Sequence, residues 1–114
     1  MKKEFKVIAD ILPNNSRVLD VGCGDGSLMN LLKKEKNIEV RGLELDRRNV
    51  QQCINKGLPV IQGNAETELH QFPNQSFDYV VLSQTLQAFY NPEKVLRELL
   101  RVFKNSCSFS KKES

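Results

Sequence analysis

RVLDVGCGDGSLMNLL, residues 17–32, decides the fold. Val18-Leu19-Asp20-Val21 is a short β-rich run that ends on glycine, and Leu28, Leu31 and Leu32 then recur at i, i+3 and i+4, the spacing of one helix face. Between them stand Gly22, Gly24 and Gly26. Glycines where a strand feeds a helix permit positive φ and let a ligand approach the backbone. The helix N-terminus adds unpaired N–H groups and positive potential. The stretch therefore predicts a strand, a tight turn suited to a polar ligand, and a helix.

The same alternation extends outward in both directions. Residues 3–12 place Phe5, Ile8, Ala9 and Leu12 at helical spacing until Pro13-Asn14-Asn15 breaks the pattern. Residues 38–45 read as a second strand. Residues 47–56 follow as a helix with Val50, Cys53 and Ile54 inward and Gly57 placed to end it. Residues 58–61 read as a third strand. A polar loop of about a dozen residues, a length often associated with function, leads to FDYVVLS at 77–83. That near-continuous apolar run suits a strand covered on both faces. Asn91-Pro92-Glu93 starts a further helix with a cap, a first-turn proline and an acid near the positive dipole end; Val95, Leu96, Leu99, Leu100 and Phe103 form its expected buried stripe. Strands separated by helices imply right-handed crossovers, so the expected class is α/β: a Rossmann-like parallel sheet of about four strands with flanking helices. Residues 1–104 form the expected domain, and the serine-rich residues 105–114 a polar, fraying tail.

Composition excludes several alternatives. A chain of 114 residues supports one core, and 39% hydrophobic with 27% charged residues is the balance of a globular domain. No stretch approaches the ~20 apolar residues of a membrane span, and Asp10 interrupts what would be a signal's apolar region. No membrane association and a cytoplasmic location are expected. Cys23, Cys53 and Cys107 are odd in number, far apart and without a C-x-x-C pair, which points to reduced thiols rather than a disulfide framework or a metal site. The net charge of +3 sits in short clusters, Lys33-Lys34, Arg47-Arg48 and Lys111-Lys112, without interleaved aromatics, so nucleic acid is not the expected partner.

The glycine turn does not fit a dinucleotide. Position 27 is serine, so G-x-G-x-x-G is not matched, and Asp25 puts an anion where a pyrophosphate would sit. A cationic or zwitterionic ligand is easier to accommodate. Glu44 lies at the end of the second strand, near the ~20-residue spacing at which an acid takes a ribose hydroxyl pair. Leu45 beside it could pack on an adenine face, and Asn64 after the third strand could bond the base edge. A glycine-rich turn can be purely structural, and acids often cap helices. Here Asp20, Gly22, Gly24, Gly26, Glu44 and Asn64 all fall at the ends of successive strands, where open α/β sheets bind ligands.

Residues 17–27 resemble motif I of class I S-adenosylmethionine-dependent methyltransferases. Together with RGLELD (41–46) and FPNQSFDYVVLSQTLQAFYNPEKVLRELLRV (72–102), they resemble the MetW family of methionine biosynthesis proteins over about residues 14–103. The resemblance implies S-adenosyl-L-methionine as cofactor. Asp20, Gly22, Gly24 and Gly26 would cradle its methionine part, Glu44 and Leu45 the ribose and adenine, and Asn64 with Ala65 the base edge. Ser83 and Gln84 would face the sulfonium. Asn64 stands where such proteins commonly carry aspartate. The implied partner is homoserine O-acetyltransferase. Methyl transfer itself is not implied, and three roles stay open: a methyltransferase, a non-catalytic partner or regulator of the acetyltransferase, or a shortened inactive fragment.

No residue is marked as catalytic. SQTLQ at 83–87 replaces the Asn/Asp-Pro-Pro-aromatic motif of enzymes that methylate exocyclic amines. His70, in the polar loop, needs no function. Cys23 reads as a packing residue unless the helix end activates its thiol. A complete domain of this superfamily continues into three further strands, so the resemblance also implies an incomplete domain. Its fourth strand would be an open edge for the tail, a helix or an oligomeric partner to cover.

Overall fold

The computed structural model describes residues 2–83 and 86–104; Gln84 and the expected tail lie outside them. Pro13 and the polar residues after it separate α1 (Lys3–Ile11) from β1 (Arg17–Val21). The glycine turn then delivers the chain into α2 (Ser27–Lys36), and β2 (Glu39–Glu44) follows. Asp46 accepts from the N–H groups of Arg48 and Asn49 at 2.8 and 3.4 Å, capping α3 (Arg47–Asn55), which gives way at Gly57, φ +75°. β3 (Val60–Gln62), α4 (Ala65–Glu68), a 3-10 turn at Leu69–Gln71, β4 (Tyr79–Leu82), a second 3-10 turn at Leu86–Ala88 and α5 (Pro92–Val102) complete the order.

The four strands form one parallel sheet in the order β3-β2-β1-β4. β1 is central, and its pleat sends Val18 into one core and Leu19 and Val21 into the other. The first core packs α1, α2 and α3 through Leu12, Leu28, Leu32 and Cys53; the second packs the 3-10 turn and α5 through Leu69, Phe72, Val95, Leu99 and Val102. The expected doubly covered parallel sheet is thus present. At its start, Asp78 accepts from the Arg17 N–H at 2.8 Å and from its guanidinium at 3.2 and 3.3 Å, tying the entry of β4 to β1. Hydrogen bonds from Arg17 hold the Asp78 carboxyl below its usual range.

Local pattern misjudges three places. The polar loop after β3 folds into α4 and the 3-10 turn, because Leu69 and Phe72 are buried in the second core. Ile54, Leu96 and Leu100, expected inward, are 54%, 43% and 40% exposed, since the packing neighbours set the rotation of α3 and α5. Every residue of β4 is only half-buried, because β4 is the edge strand. Among the described residues, the chain leaving α5 meets the entry to this edge: Phe103 bridges Phe77 in parallel, and Lys104 N–H donates to Phe77 O at 2.7 Å.

Leu32 is fully buried between α2 and the sheet. Leu32→Ala should therefore lower the unfolding free energy by about 2–5 kcal/mol, seen as a lower urea midpoint with an unchanged slope.

Candidate functional site

The parallel register brings the C-terminal ends of β1, β2 and β3 to one rim, with the glycine turn above them. Gly22 and Cys23 donate their N–H groups to Leu43 O at 2.8 and 3.2 Å. Gly24 donates to Glu44 Oε1 at 2.8 Å, while Glu44 Oε2 accepts from the Asp46 N–H at 3.0 Å and lies 3.5 Å from Asn49 Nδ2. The turn is thereby fastened to the end of β2. At Gly24 φ is +59° and nothing lies within 4 Å of where a Cβ would be, so the backbone there faces open space. Gly26, φ +86°, serves packing instead: a Cβ would meet Leu58 Cδ1 at 2.6 Å and Cys53 Sγ at 3.0 Å.

Two cavities meet at Gly22. The larger, about 710 Å³, is lined by Asp20, Gly24, Asp25 and Ser83 together with Asn49 and Gln52 of α3 and Lys2 and Phe5 at the start of the chain. The smaller, about 200 Å³, lies between Leu45, Asn64 and Ala65 on one side and Ala88, Phe89 and Tyr90 on the other. Together they fall in the ~300–1,000 Å³ range of small-molecule pockets.

Asp20 is the chemically unusual residue of the larger cavity. It is 1% exposed, and among the described residues its Oδ1 has no hydrogen-bond partner. Burial, helped by the charge of Glu44, pushes its pKa up to about 7 despite a hydrogen bond with Ser83. Asp25 behaves oppositely: it accepts from the Ser27 N–H and hydroxyl at 3.0 and 2.7 Å, which hold it below its usual range, and Lys56 lies 3.9 Å away. In the smaller cavity Leu45 is 60% exposed, Ala65 is buried, and Asn64 caps α4 by accepting from the Thr67 N–H at 3.0 Å.

The expected residues Asp20, Gly22, Gly24, Leu45, Asn64, Ala65 and Ser83 thus line one cavity or the other. Glu44 and Gly26 line neither cavity; Glu44 fastens the turn and Gly26 packs near Leu58 and Cys53. Sequence reasoning missed Lys2, Phe5, Asn49 and Gln52. The helical spacing of Asn49 and Gln52 marked a polar face, but nothing local revealed that it borders the turn. Phe89 and Tyr90 border the smaller cavity. His70 is exposed and lines neither cavity.

Cys23 and Cys53, 30 positions apart, lie side by side with their Sγ atoms 3.9 Å apart. Burial pushes both thiols upward, which matches a packing role for Cys23. Among the described residues no group of three or more His, Cys, Asp or Glu is placed to hold a metal ion, and no helix is long and apolar enough to cross a membrane.

Comparison with known proteins agrees with this geometry. The family described as methionine biosynthesis protein MetW matches residues 2–110. The bifunctional methionine biosynthesis protein MetXA/MetW of Rhodopirellula baltica is 34% identical over 103 residues, 83% of this chain and 16% of its own length. The ubiquinone/menaquinone biosynthesis C-methyltransferase UbiE of Xanthomonas oryzae is 33% identical over 113 residues, 90% of this chain and 44% of its length. The chain therefore spans less than half of either relative. Among solved structures, a possible histamine N-methyltransferase from Thermotoga maritima, described as SAM-dependent, superposes with a TM-score of 0.70 at 27% identity, over 89% of this chain and 45% of its own. The [4+2]-cyclase SpnF shares the fold with a TM-score of 0.77 at 24% identity, over 90% of this chain and 40% of its own. With a glycine turn fastened to the β2 acid, a parallel sheet in the order 3-2-1-4 and a family match across most of its length, the chain belongs to the MetW family and has a methyltransferase-like fold.

Proposed function

We propose that the paired cavities hold S-adenosyl-L-methionine or its demethylated product, in a cytoplasmic protein that serves methionine biosynthesis beside homoserine O-acetyltransferase. The observation that carries the cofactor assignment is Asp20 Oδ1, a buried acceptor without a partner among the described residues, on the wall of the larger cavity. A buried, unsatisfied carboxylate is destabilising unless a donor reaches it. An amino-acid ammonium is such a donor, and its charge suits a carboxylate that burial otherwise neutralises. The open backbone at Gly24 leaves room for the carbon chain beside it.

The adenosine half fits the rest. Glu44 uses its two oxygens on backbone N–H groups, but a carboxylate has about four lone-pair sites, so ribose hydroxyls can still donate to it. Leu45 offers an exposed apolar face, and the Nδ2 donor of Asn64 is left for a base edge while its Oδ1 caps α4. The sulfonium would supply an activated methyl group. Asp20 would orient the amino-acid end, Glu44 the sugar, and Leu45 with Ala65 would exclude water from the base. The link to the acetyltransferase is supported by the R. baltica relative, whose name joins MetXA and MetW.

Calorimetric titration with S-adenosylhomocysteine should show one site per chain; a folded chain that takes up no ligand would refute the cofactor assignment. Glu44→Ala should weaken that binding by about 1–3 kcal/mol, with Glu44→Gln intermediate because one acceptor oxygen remains.

Asp20 gives a pH signature with a definite sign. Its folded-state pKa of about 7 lies above the unfolded value of about 3.9, so between them the folded state carries the extra proton. Its contribution therefore makes the free protein less stable as pH rises from about 4 to about 7, and level above that. Asp20→Asn should remove this slope, so the variant gains on the parent between pH 4 and pH 7 in urea midpoints. It should also weaken S-adenosylhomocysteine about tenfold or more, while leaving 5′-methylthioadenosine, which lacks the amino-acid end, nearly unaffected.

A further inference from the structure

Glu66, the second residue of α4, reaches across to the segment that precedes α5. Its Oε1 accepts from the Tyr90 N–H at 3.0 Å and its Oε2 from the Asn91 N–H at 2.9 Å. A carboxylate that takes two consecutive backbone donors makes charge-assisted bonds with defined direction, and here it does so at the positive end of a helix dipole. Asn91 in turn caps α5 by accepting from the Lys94 N–H at 3.1 Å.

The position of this bridge matters more than its strength. Asn64 and Ala65, immediately before Glu66, form one wall of the smaller cavity; Ala88, Phe89 and Tyr90 form the opposite wall. Among the described residues, Glu66 is the side chain whose hydrogen bonds join the two walls. The second wall is also backed by α5, against which the 3-10 turn at Leu86–Ala88 packs. Tyr90 is fully exposed and contributes no packing, so Phe89, which packs on the second core, is its apolar anchor. The two bonds to Glu66 add a direct tie between the walls, so they help to set the gap that would receive a planar base.

We infer that Glu66 is a positioning residue that latches residues 88–91 across the smaller cavity and sets affinity for the adenosine half of the ligand. The inference rests on the S-adenosyl assignment for its ligand, but the latch itself can be read without any ligand. Glu66 itself lines the smaller cavity, and both of its oxygens already accept backbone donors, so its role is argued through the wall it holds. Its effect is on the distance between two walls, so it should act equally on any ligand with the adenosine half and not at all through the amino-acid half.

The test compares the parent chain with Glu66→Ala and Glu66→Gln by amide hydrogen exchange and by calorimetry with S-adenosylhomocysteine and 5′-methylthioadenosine. In Glu66→Ala, exchange at the Tyr90 and Asn91 amides should accelerate while the Leu99 amide in the body of α5 keeps its protection. Both ligands should weaken by the same factor, about tenfold for the loss of a charge-assisted anchor. Glu66→Gln, which keeps one carbonyl oxygen and guards against failure of the alanine variant to fold, should lose less. The combination with Asp20→Asn should be additive on S-adenosylhomocysteine, since the two residues serve opposite ends. Unchanged exchange at Tyr90 and Asn91 overturns the latch whether or not ligand binds. Weakening of S-adenosylhomocysteine without equal weakening of 5′-methylthioadenosine overturns its assignment to the adenosine half. If the parent chain binds neither ligand, the S-adenosyl assignment and the affinity role fall together, and accelerated exchange would then support Glu66 as a latch of the loop alone.

Discussion

The hydrogen bond from the Gly24 N–H to Glu44, at 2.8 Å, is the contact on which the site's geometry depends. It joins the turn after the central strand to the acid that ends the next one, and the bonds from Gly22 and Cys23 to Leu43 O reinforce it. Without that fastening, three glycines in five residues would leave the turn free to sample many backbone states. With it, the turn stands between two cavities and presents Gly22 to both. In the proposed function the same carboxylate would also receive the sugar hydroxyls, so structure and binding would draw on one group. A parallel sheet makes this possible, because it ends successive strands side by side on one rim.

Asp20 shows the opposite balance. Beyond Arg17 the central strand is otherwise apolar, and a carboxylate at this depth, with one oxygen unpartnered among the described residues, works against folding. Glu44 adds to the strain through its charge. Local departures from stable packing of this kind are expected where a ligand completes the structure. The domain accommodates it because both faces of the sheet are filled: α1, α2 and α3 on one side, α5 and the 3-10 turn on the other. Glu66 solves a related problem at the surface, where α5 needs its first donors met and the wall beside them needs holding.

Much of this was legible in the chain itself, and the reason is periodicity. The strand, turn and helix at 17–32 follow from spacing within a few residues, and the later strands and helices from the same rules. Alignment of Asp20, Gly22, Glu44 and Asn64 with strand ends followed directly, since a parallel α/β order leaves few arrangements open. Polarity alone was a weaker guide. Leu69 and Phe72 sit in a polar stretch yet are buried, and Leu96 and Leu100 sit on an apolar stripe yet are half in water. In both cases the neighbours across space decide, and these are distant in sequence.

Sequence by itself determined the order of elements, the glycine turn, the acids at the strand ends and the family pattern, because each is carried by residues a few positions apart. Only the tertiary structure decided which groups share a cavity. It brought Cys23 against Cys53, set Asn49 and Gln52 beside the turn, turned Gly26 toward Leu58 rather than the cavity, and placed Glu66 over the backbone of Tyr90 and Asn91. These pairings depend on sheet register and on how each helix rotates to bury its stripe. Such quantities are fixed by packing of the whole domain and have no local signature in the chain.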